Sequence, residues 1–358
     1  MTQNFFNISI NSSLGAYPIR FQSIETEMFE NSYLIVDQIL KENLYLNKDK
    51  CVLIPVKEVT KTLSLVENTM VQLSAKRMTK NDNLVVIGGG FLQDIGTLVA
   101  SLYMRGVKWS YVPTTLAAMG DSCIGGKSSI NAGKVKNLVG NFYPPREVLI
   151  NPSFISTLPN LEIIAGISEI IKICFARSFE SFTKSTELIF DWKINGNIAS
   201  LTELIQLSLS CKKYFVEQDE FDVGIRKLLN FGHSFAHALE AASNYKIPHG
   251  IAVLIGMLAA SQHPLSEQSS ETQLLIETCL SFSKLIGEEM SAQISNVDYG
   301  AFSQALAKDK KNSSSNLLLI LPLISGLKAV EIPFKDDALR IATYSMKSAI
   351  ERVLNEIR

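Results

Sequence analysis

The stretch Arg226–Gly250, RKLLNFGHSFAHALEAASNYKIPHG, holds three of the four histidines of the chain. These are His233, His237 and His249, and the fourth, His263, follows shortly afterwards. The apolar residues around the first two keep helical spacing, so His233 and His237 project from one face of a helix. A second helix begins at His249, after a turn that contains proline. Isolated histidines often only satisfy core polar groups, but this crowding predicts a functional site.

A catalytic metal site usually combines two histidines with a third ligand, often a carboxylate. Glu169 is the candidate, because it lies in AGISEIIKICFA, an otherwise apolar helical segment where an uncompensated charge is costly. One of His233 and His237 is then a metal ligand and the other handles protons, and the helical spacing does not decide which. The alternative is a purely structural ion pair between Glu169 and Lys172, three residues apart on one helix face.

Composition is that of a globular protein large enough for two domains. The chain has 358 residues, of which 46% are hydrophobic and 19% charged, and its formal net charge is −1. This near-neutral charge argues against a nucleic-acid partner. The five cysteines are odd in number, scattered and without CxxC spacing, which favours a reducing cytoplasm over disulfides. We find no export signal and no apolar run of membrane-spanning length, so no membrane partner is expected.

Residues 1–155 are predicted to form an α/β domain with a Rossmann-like, mostly parallel sheet. Short apolar runs typical of buried strands alternate there with helical patterns, which is the signature of such a sheet. The predicted strands are Tyr33–Val36, Val52–Ile54, Leu84–Ile87, Trp109–Val112 and Val148–Ile150.

Residues 156–358 are predicted to form a second, mainly α-helical domain, which carries the candidate metal ligands. The prolines at 152 and 159 mark the change of pattern. Helices are predicted at Leu161–Ala176, Phe179–Phe190, Ile198–Glu217 and about residues 335–357, with one late strand at Leu317–Leu321.

Two stretches of the first domain suit anion binding. Gly88, Gly89 and Gly90 follow a predicted strand and Asp94 opens the next helix, an arrangement that lets backbone approach a pyrophosphate. The motif GGGFLQD lacks the full dinucleotide pattern, so a simple tight turn is the alternative. Residues 113–145 are rich in Gly, Ser and Asn and carry several lysines, which suits a phosphate or carboxylate unless the loop is merely solvated.

Nine motifs in order make the chain similar to the sugar phosphate cyclases. They are GGGFLQD, YMRG, PTT, DSCIGGK, KNLVG, SEIIK, LLNFGHSFAH, HG and DKK, and they span roughly residues 50 to 325. The resemblance implies the fold of that family, with an N-terminal NAD-binding domain and a helical metal-binding domain. It also implies a homodimer, because Arg105 of YMRG resembles an arginine that reaches a neighbouring subunit's site.

The resemblance implies a role for each matching residue. The metal ligands, for zinc or cobalt, would be Glu169, His233 and His249, and His237 would instead contact phosphate or transfer protons. The catalytic set would be Lys172, His237, Asp121 and Lys127. The NAD site would comprise Glu58, Lys61, Gly88, Gly89, Gly90, Asp94, Thr114, Thr115, Lys127, Lys136 and Thr157. The sugar phosphate would be bound by Arg105, Asn137, Lys212, Arg226, Asn230, Lys310 and Lys311.

In this family NAD⁺ transiently oxidises a ring hydroxyl, phosphate is eliminated, the hydride returns and an intramolecular aldol step closes a carbocycle. Lys212 and Arg226 match the pair that flanks the carboxylate of a seven-carbon sugar acid phosphate in one branch of the family, which favours that branch. Departures such as Gln93, Cys123 and Ala236 leave open a cyclase of a secondary pathway. A metal-dependent polyol dehydrogenase, which would release NADH, is a further alternative.

Overall fold

The computed structural model describes residues 7–42, 47–133, 135–309, 312–334 and 337–357. The chain divides into two compact units. The first comprises residues 1–157 together with 213–221, and the second comprises residues 158–212 and 222–358. The predicted division at residue 155 did not anticipate that residues 213–221 return to the first unit.

The first unit is built on a seven-stranded sheet. Its strands are β1 Asn7–Ile10, β2 Tyr17–Phe21, β3 Tyr33–Asp37, β4 Cys51–Ile54, β5 Leu84–Gly88, β6 Trp109–Pro113 and β9 Glu147–Ile150, in the order β1-β2-β9-β6-β5-β3-β4. All neighbouring pairs are parallel except β1 with β2. The parallel sheet and its five predicted strands are confirmed, whereas the N-terminal hairpin β1–β2 was not predicted.

The central strand β5 is apolar along its whole length because both faces of the sheet are covered there. All five residues of β5, LVVIG, are buried, and helices α1 Leu63–Ala75 and α2 Gly90–Leu102 pack on the sheet region. The stretch 113–145, expected to be a long loop, contains a π-helical turn at Ala118–Ser122 and a small hairpin, β7 Ile130–Ala132 with β8 Val135–Val139.

Residues 213–221 are held in the first unit by the N-terminal hairpin. The backbone N–H of Asn11 donates to Glu217 at 2.8 Å, and that of Ser13 donates to Glu220 at 2.9 Å. These carboxylates therefore accept hydrogen bonds from the backbone N–H groups of the turn that follows β1.

The second unit is mainly helical, as predicted. Its helices are α3 Asn160–Arg177, α4 Phe179–Asn195, α5 Ile198–Gln218 (whose last turns belong to the first unit), α6 His233–Ala242, α7 His249–Ser261, α8 Ser270–Ser283, α9 Glu288–Ser295, α10 Tyr299–Ala307 and α11 Ala338–Ile357. N-cap side chains stabilise the first turn of several of these helices. The side chains of Ser178, Ser269 and Asp298 accept hydrogen bonds from backbone N–H groups there.

Helix α7 is the centre of the second unit. From Gly250 to Ser261 every residue is buried, which explains why its sequence is apolar on all sides. It packs against α3, α6, α8 and α11. The late strand expected at Leu317–Leu321 is only part of an antiparallel hairpin, β10 Asn316–Leu323 with β11 Gly326–Pro333. Strand β11 was missed because most of its residues are exposed.

The five cysteines are buried free thiols. Among the described helices, none is both long enough and apolar enough to cross a membrane.

Candidate functional site

Glu169, His233 and His249 meet in the second unit and form what we call the Glu–His–His cluster. One ligand atom from each residue can be chosen so that all three atoms lie within 4.8 Å of one another. Oε1 of Glu169 lies 3.3 Å from Nε2 of His249 and 3.9 Å from Nε2 of His233. Glu169 comes from the middle of α3, and the two histidines are the first residues of α6 and α7.

Close helix packing brings these three residues together. Gly250 lies so near Ala165 that a Cβ on the glycine would overlap the backbone of α3. Gly256 packs in the same way on the carbonyl of Gly232, so α7 touches the start of α6. Gly232 itself has a φ of +75°, which favours glycine at the residue that precedes His233. The glycines at these contacts therefore set the spacing of the cluster.

The carboxylate of the cluster is buried together with a lysine. Glu169 is 4% exposed and Lys172 is 3% exposed, and their side chains form an ion pair. Burial alone would raise the pKa of Glu169, but the Lys172 ammonium and the two imidazoles hold that pKa well below its usual range. The ion pair between Glu169 and Lys172, considered above as the alternative to a metal site, is thus present together with the cluster. It keeps Glu169 ionised, which is the state that a metal ligand requires.

Each histidine of the cluster is oriented through its Nδ1 atom. Nδ1 of His233 lies 3.3 Å from the carbonyl oxygen of Phe231, which can only accept, so the proton is on Nδ1 and Nε2 is left for a ligand. Nδ1 of His249 lies 3.1 Å from Oε2 of Glu240.

The two imidazoles have opposite pKa shifts. Burial, assisted by the Lys172 ammonium, holds the pKa of His233 well below its usual value. Burial also acts to lower the pKa of His249, but hydrogen bonds to Glu169 and Glu240 outweigh it and raise that pKa to about 9.

His237 lies beside the cluster. Its ring centroid is 5.5 Å from that of His233 and 5.8 Å from that of His249. A second group that could hold an ion combines His237, Glu240 and His249. Glu240 was missed from the sequence, although an acid two helical turns after His233 on a mostly buried helix is the kind of signal that identified Glu169.

The donor set fits a catalytic zinc or cobalt ion. One carboxylate oxygen and two imidazole nitrogens are the usual three protein ligands of such an ion, which keeps a further position for substrate or water. His249 has a side chain that is 42% exposed, so the cluster is reachable from solvent on that side.

Two of the predicted substrate residues of the second unit are buried cations. Lys212 is 7% exposed and Arg226 is 3% exposed, which is unusual for cations and requires compensating partners. Arg226 and Asn230 lie on a short 3₁₀ helix, Ile225–Asn230, that packs against α3. The amide of Asn230 donates to the carbonyl of Lys227 at 3.1 Å. Lys310 and Lys311 lie outside the described residues.

In the first unit, Gly88, Gly89 and Gly90, which we call the glycine turn, join the end of β5 to the start of α2. A Cβ on Gly89 would lie 2.9 Å from Cγ2 of Thr115. Gly88 ends β5 directly opposite Pro113 of β6, so the threonines that follow β6 are brought to the same edge of the sheet. The carboxyl edge of a parallel sheet, with a helix N-terminus beside it, is where such folds bind dinucleotides.

A polar network surrounds Asp94 on the second turn of α2. Its carboxylate pairs with Nζ of Lys61 at 2.5 Å and accepts from the backbone N–H of Ser129 at 2.9 Å. Burial raises the pKa of Asp94 despite these partners. Nearby, Glu58 accepts from Asn131 at 3.2 Å and lies 4.0 Å from Nζ of Lys136. These contacts join Asp94 with Lys61 and Glu58 with Lys136. All four residues were predicted for the cofactor site.

The remaining predicted residues of the first unit lie after β6. Thr114 donates its N–H to the carbonyl of Gly88 at 3.1 Å, and Thr115 Oγ1 accepts from Ala118 N–H. Asp121 belongs to the π-helical turn, and Nζ of Lys127 lies 5.9 Å from the ring centroid of Phe142.

Three further predicted residues are at backbone turns or exposed. Asn137 has a φ of +53° and its N–H donates to Asn131. Arg105 has a φ of +64° and is exposed, and Thr157 is exposed at the end of a 3₁₀ helix.

Gln93, one of the departures from the family pattern, has a clear structural role. Its side chain exchanges two hydrogen bonds with Ser122, donating to the carbonyl and accepting from the hydroxyl, both at 2.5 Å. It therefore ties α2 to the turn that carries Asp121.

Comparisons with known proteins agree with this arrangement. Residues 51–165 match the family model of the 3-dehydroquinate synthase N-terminal region, and residues 166–312 match that of the C-terminal region. The chain is 34% identical over 321 residues to the 3-dehydroquinate synthase of Dictyoglomus turgidum, covering 88% of this chain and 89% of that protein. It is 36% identical over 302 residues to that of Dictyoglomus thermophilum, covering 81% and 82%.

Solved structures share the fold at lower identity. A 2-deoxy-scyllo-inosose synthase complexed with carbaglucose-6-phosphate, NAD⁺ and Co²⁺ superposes with a TM-score of 0.74 at 20% identity, covering 95% of this chain and all of that one. The 2-epi-5-epi-valiolone synthase of Streptomyces hygroscopicus, with NAD⁺ and Zn²⁺ bound, gives 0.76 at 20% identity, covering 96% and 99%. A probable glycerol dehydrogenase from Sinorhizobium meliloti gives 0.58 at 14%, covering 90% of each chain.

The fold and the matches define a sugar phosphate cyclase. Within that class, the two family models together span residues 51–312, and relatives of more than 30% identity cover most of the chain. The chain belongs to the 3-dehydroquinate synthase family.

Proposed function

We propose that this protein converts 3-deoxy-D-arabino-heptulosonate 7-phosphate into 3-dehydroquinate and phosphate, using NAD⁺ and a divalent metal ion. The observation that carries the proposal is the Glu–His–His cluster, with its ligand atoms within 4.8 Å of one another, in a chain that matches both halves of the 3-dehydroquinate synthase family. We propose that the cofactor binds in the first unit and the metal ion in the second.

The residues present fit both groups. The cluster supplies one oxygen and two nitrogen donors, and the glycine turn supplies a helix N-terminus free of side chains. When bound, NAD⁺ provides a temporary hydride acceptor and the metal ion polarises a substrate oxygen.

The chain's own residues set the protonation states at the Glu–His–His cluster. Lys172 keeps Glu169 ionised, and Nδ1 protonation of His233 leaves its Nε2 available as a ligand. His237, with its ring 5.5 Å from that of His233, is suited to give or take a proton from a group bound at the cluster. In the first unit, Lys127 and Asn137 match residues that hold the phosphate in the family.

The substrate carboxylate is assigned to Lys212 and Arg226. Both cations are almost completely buried, and both match the positions that flank the substrate carboxylate in the heptulosonate branch of the family. Cyclases that act on neutral sugars have no carboxylate to bind, so the match at both positions supports the heptulosonate branch.

We also propose a homodimer in the cytoplasm. Exposed Arg105 matches the arginine that contacts the neighbouring subunit's site in the family. The five free thiols suit a reducing compartment.

The test is a substrate panel with NAD⁺ and Zn²⁺ or Co²⁺, scored for phosphate and for NADH. We expect phosphate release from the heptulosonate with no net NADH. Steady NADH accumulation without phosphate would instead identify a polyol dehydrogenase. Faster phosphate release from sedoheptulose 7-phosphate or glucose 6-phosphate would identify a cyclase of a secondary pathway and contradict the role of Lys212 and Arg226.

A further inference from the structure

Glu240 is a buried acid that faces the metal site without belonging to the Glu–His–His cluster. It is 2% exposed, and its Oε2 lies 3.1 Å from Nδ1 of His249. On α6 it follows His233 by seven residues and His237 by three, so the three side chains share one face of the helix. Placing a carboxylate in such a buried position is costly unless it has a specific partner.

The contact between Glu240 and His249 decides between two possible ion sites. The Glu–His–His cluster and the group of His237, Glu240 and His249 both use His249, which can offer either ring nitrogen. A carboxylate on Nδ1 holds the proton there and leaves Nε2 as the ligand atom. Nε2 is the nitrogen that lies 3.3 Å from Oε1 of Glu169. The contact with Glu240 therefore directs the ion to the Glu–His–His cluster.

The two histidine ligands are held by groups of different charge. His233 is oriented by the neutral carbonyl of Phe231, whereas His249 is oriented by the Glu240 carboxylate. A carboxylate behind a metal-bound imidazole strengthens the imidazole as a donor and offsets part of the charge of the ion. His249 needs the firmer support, because its side chain is 42% exposed and that of His233 only 13%.

We propose that Glu240 is a positioning residue that fixes the tautomer and direction of His249 and thereby tightens metal binding at the Glu–His–His cluster. This inference rests on the proposed metal site. In this role Glu240 contacts neither the ion nor the substrate.

The experiment measures Zn²⁺ affinity by competition with a chromophoric chelator for the parent, Glu240→Gln and Glu240→Leu. We expect affinity to fall about 10- to 100-fold for leucine, which removes the acceptor, and less for glutamine, which keeps a weaker one. The matched control is Glu187→Gln, the same charge change at an exposed position of α4, and its affinity should equal that of the parent. Co²⁺ absorption should change in the Glu240 variants and not in the control.

Thermal unfolding of the metal-free proteins separates positioning from general support. A weaker affinity in Glu240→Gln with a metal-free melting temperature near that of the parent supports the inference. Unchanged affinity in both Glu240 variants, or a loss fully matched by unfolding of the metal-free protein, overturns it. If the parent itself binds no ion, the proposed metal site fails and this inference fails with it; equal binding by parent and variants overturns only the role of Glu240.

Discussion

The Glu–His–His cluster and the glycine turn are built by opposite means. The cluster uses ionisable side chains whose pKa values are shifted by their neighbours, and its Glu169 is almost inaccessible together with the ion-pair partner Lys172. The glycine turn uses backbone and the absence of side chains, at the carboxyl end of β5 and the start of α2. The cluster should therefore be sensitive to changes of charge, and the glycine turn to changes of shape.

The largest expected effect comes from Glu169→Gln. The change removes a proposed metal ligand and replaces the carboxylate that pairs with the buried Lys172 ammonium. We expect metal binding and phosphate release to be lost, and the metal-free protein to lose about 3–5 kcal/mol in its free energy of unfolding, measured in urea.

A double variant sharpens this prediction. Glu169→Gln with Lys172→Met removes both charges, so it should recover much of the stability without recovering metal binding. Glu162→Gln, at an exposed position on the first turn of the same helix, is the control and should cost less than about 1 kcal/mol. A single Glu169→Gln variant as stable as the control would contradict the view that charge dominates at the cluster.

Gly250→Ala tests whether shape also matters at the cluster. The added methyl group would overlap Ala165, so α3 and α7 must separate and carry Glu169 away from His249. We expect a loss of about 1–3 kcal/mol in unfolding free energy together with weaker Zn²⁺ binding. Gly300→Ala is the control, because its Cβ would meet only Oδ1 of Asp298, at 3.2 Å. Wild-type Zn²⁺ affinity in Gly250→Ala would show that the cluster tolerates a change in helix spacing.

Gly90→Ala should separate binding from stability at the glycine turn. A Cβ there would lie 3.5 Å from Oγ of Ser122, an ordinary contact, so folding should be unaffected. The methyl group would occupy space that a pyrophosphate needs, and we expect NAD⁺ to bind about tenfold more weakly by calorimetry, a change of about 1.4 kcal/mol. Zn²⁺ affinity should not change. Normal NAD⁺ binding would mean that the glycine turn is only a tight turn.

The smallest expected effect concerns His263, which lies just beyond the other end of the helix that begins at His249. Burial lowers the pKa of His263 to about 4, and within the described residues its Nε2 has no hydrogen-bond partner. Since the unfolded histidine titrates near 6.5, the unfolded state binds more protons between pH 6.5 and pH 4, and stability falls as pH falls through that window.

The expected loss from this histidine is about 1 kcal/mol between pH 7 and pH 5.5. His263→Gln keeps an acceptor for the N–H of Leu265, which lies 3.2 Å from Nδ1 in the parent, and should remove that part of the pH dependence in urea unfolding. Identical pH dependence in parent and variant would show that His263 does not titrate as its burial indicates.

Local patterns were sufficient for most of the fold. The apolar runs at β3 to β6 and β9 and the helical spacing of α3 to α5 predicted those elements to within a few residues, because fully buried strands and amphipathic helices have distinct periodicities. The hairpins were missed for a related reason. Strands β1 and β2 contain polar residues, and β11 is mostly exposed with only Leu327 and Ile332 buried, so none of them resembles a fully buried strand.

The candidate site was predicted unevenly. The lone acid in an apolar helix and the crowding of histidines pointed to Glu169 and the histidine segment, and the resemblance to the cyclases selected His233 and His249 as the other ligands. The fold brings the ligand atoms of these three residues together. Glu240 was not found, although it is an acid on a mostly buried helix, because that local signal does not reveal its contact with Nδ1 of His249 on the next helix.

The amino-acid order alone was enough for the alternation of strands and helices, the histidine-rich segment and the resemblance to the cyclases, since each of these depends on neighbours along the chain. Folding in three dimensions was needed to define the strand order of the sheet, the return of residues 213–221 to the first unit and the approach of His249 Nε2 to Glu169. These features depend on distances between segments far apart in sequence, and such distances are set by packing, as where Gly250 meets Ala165.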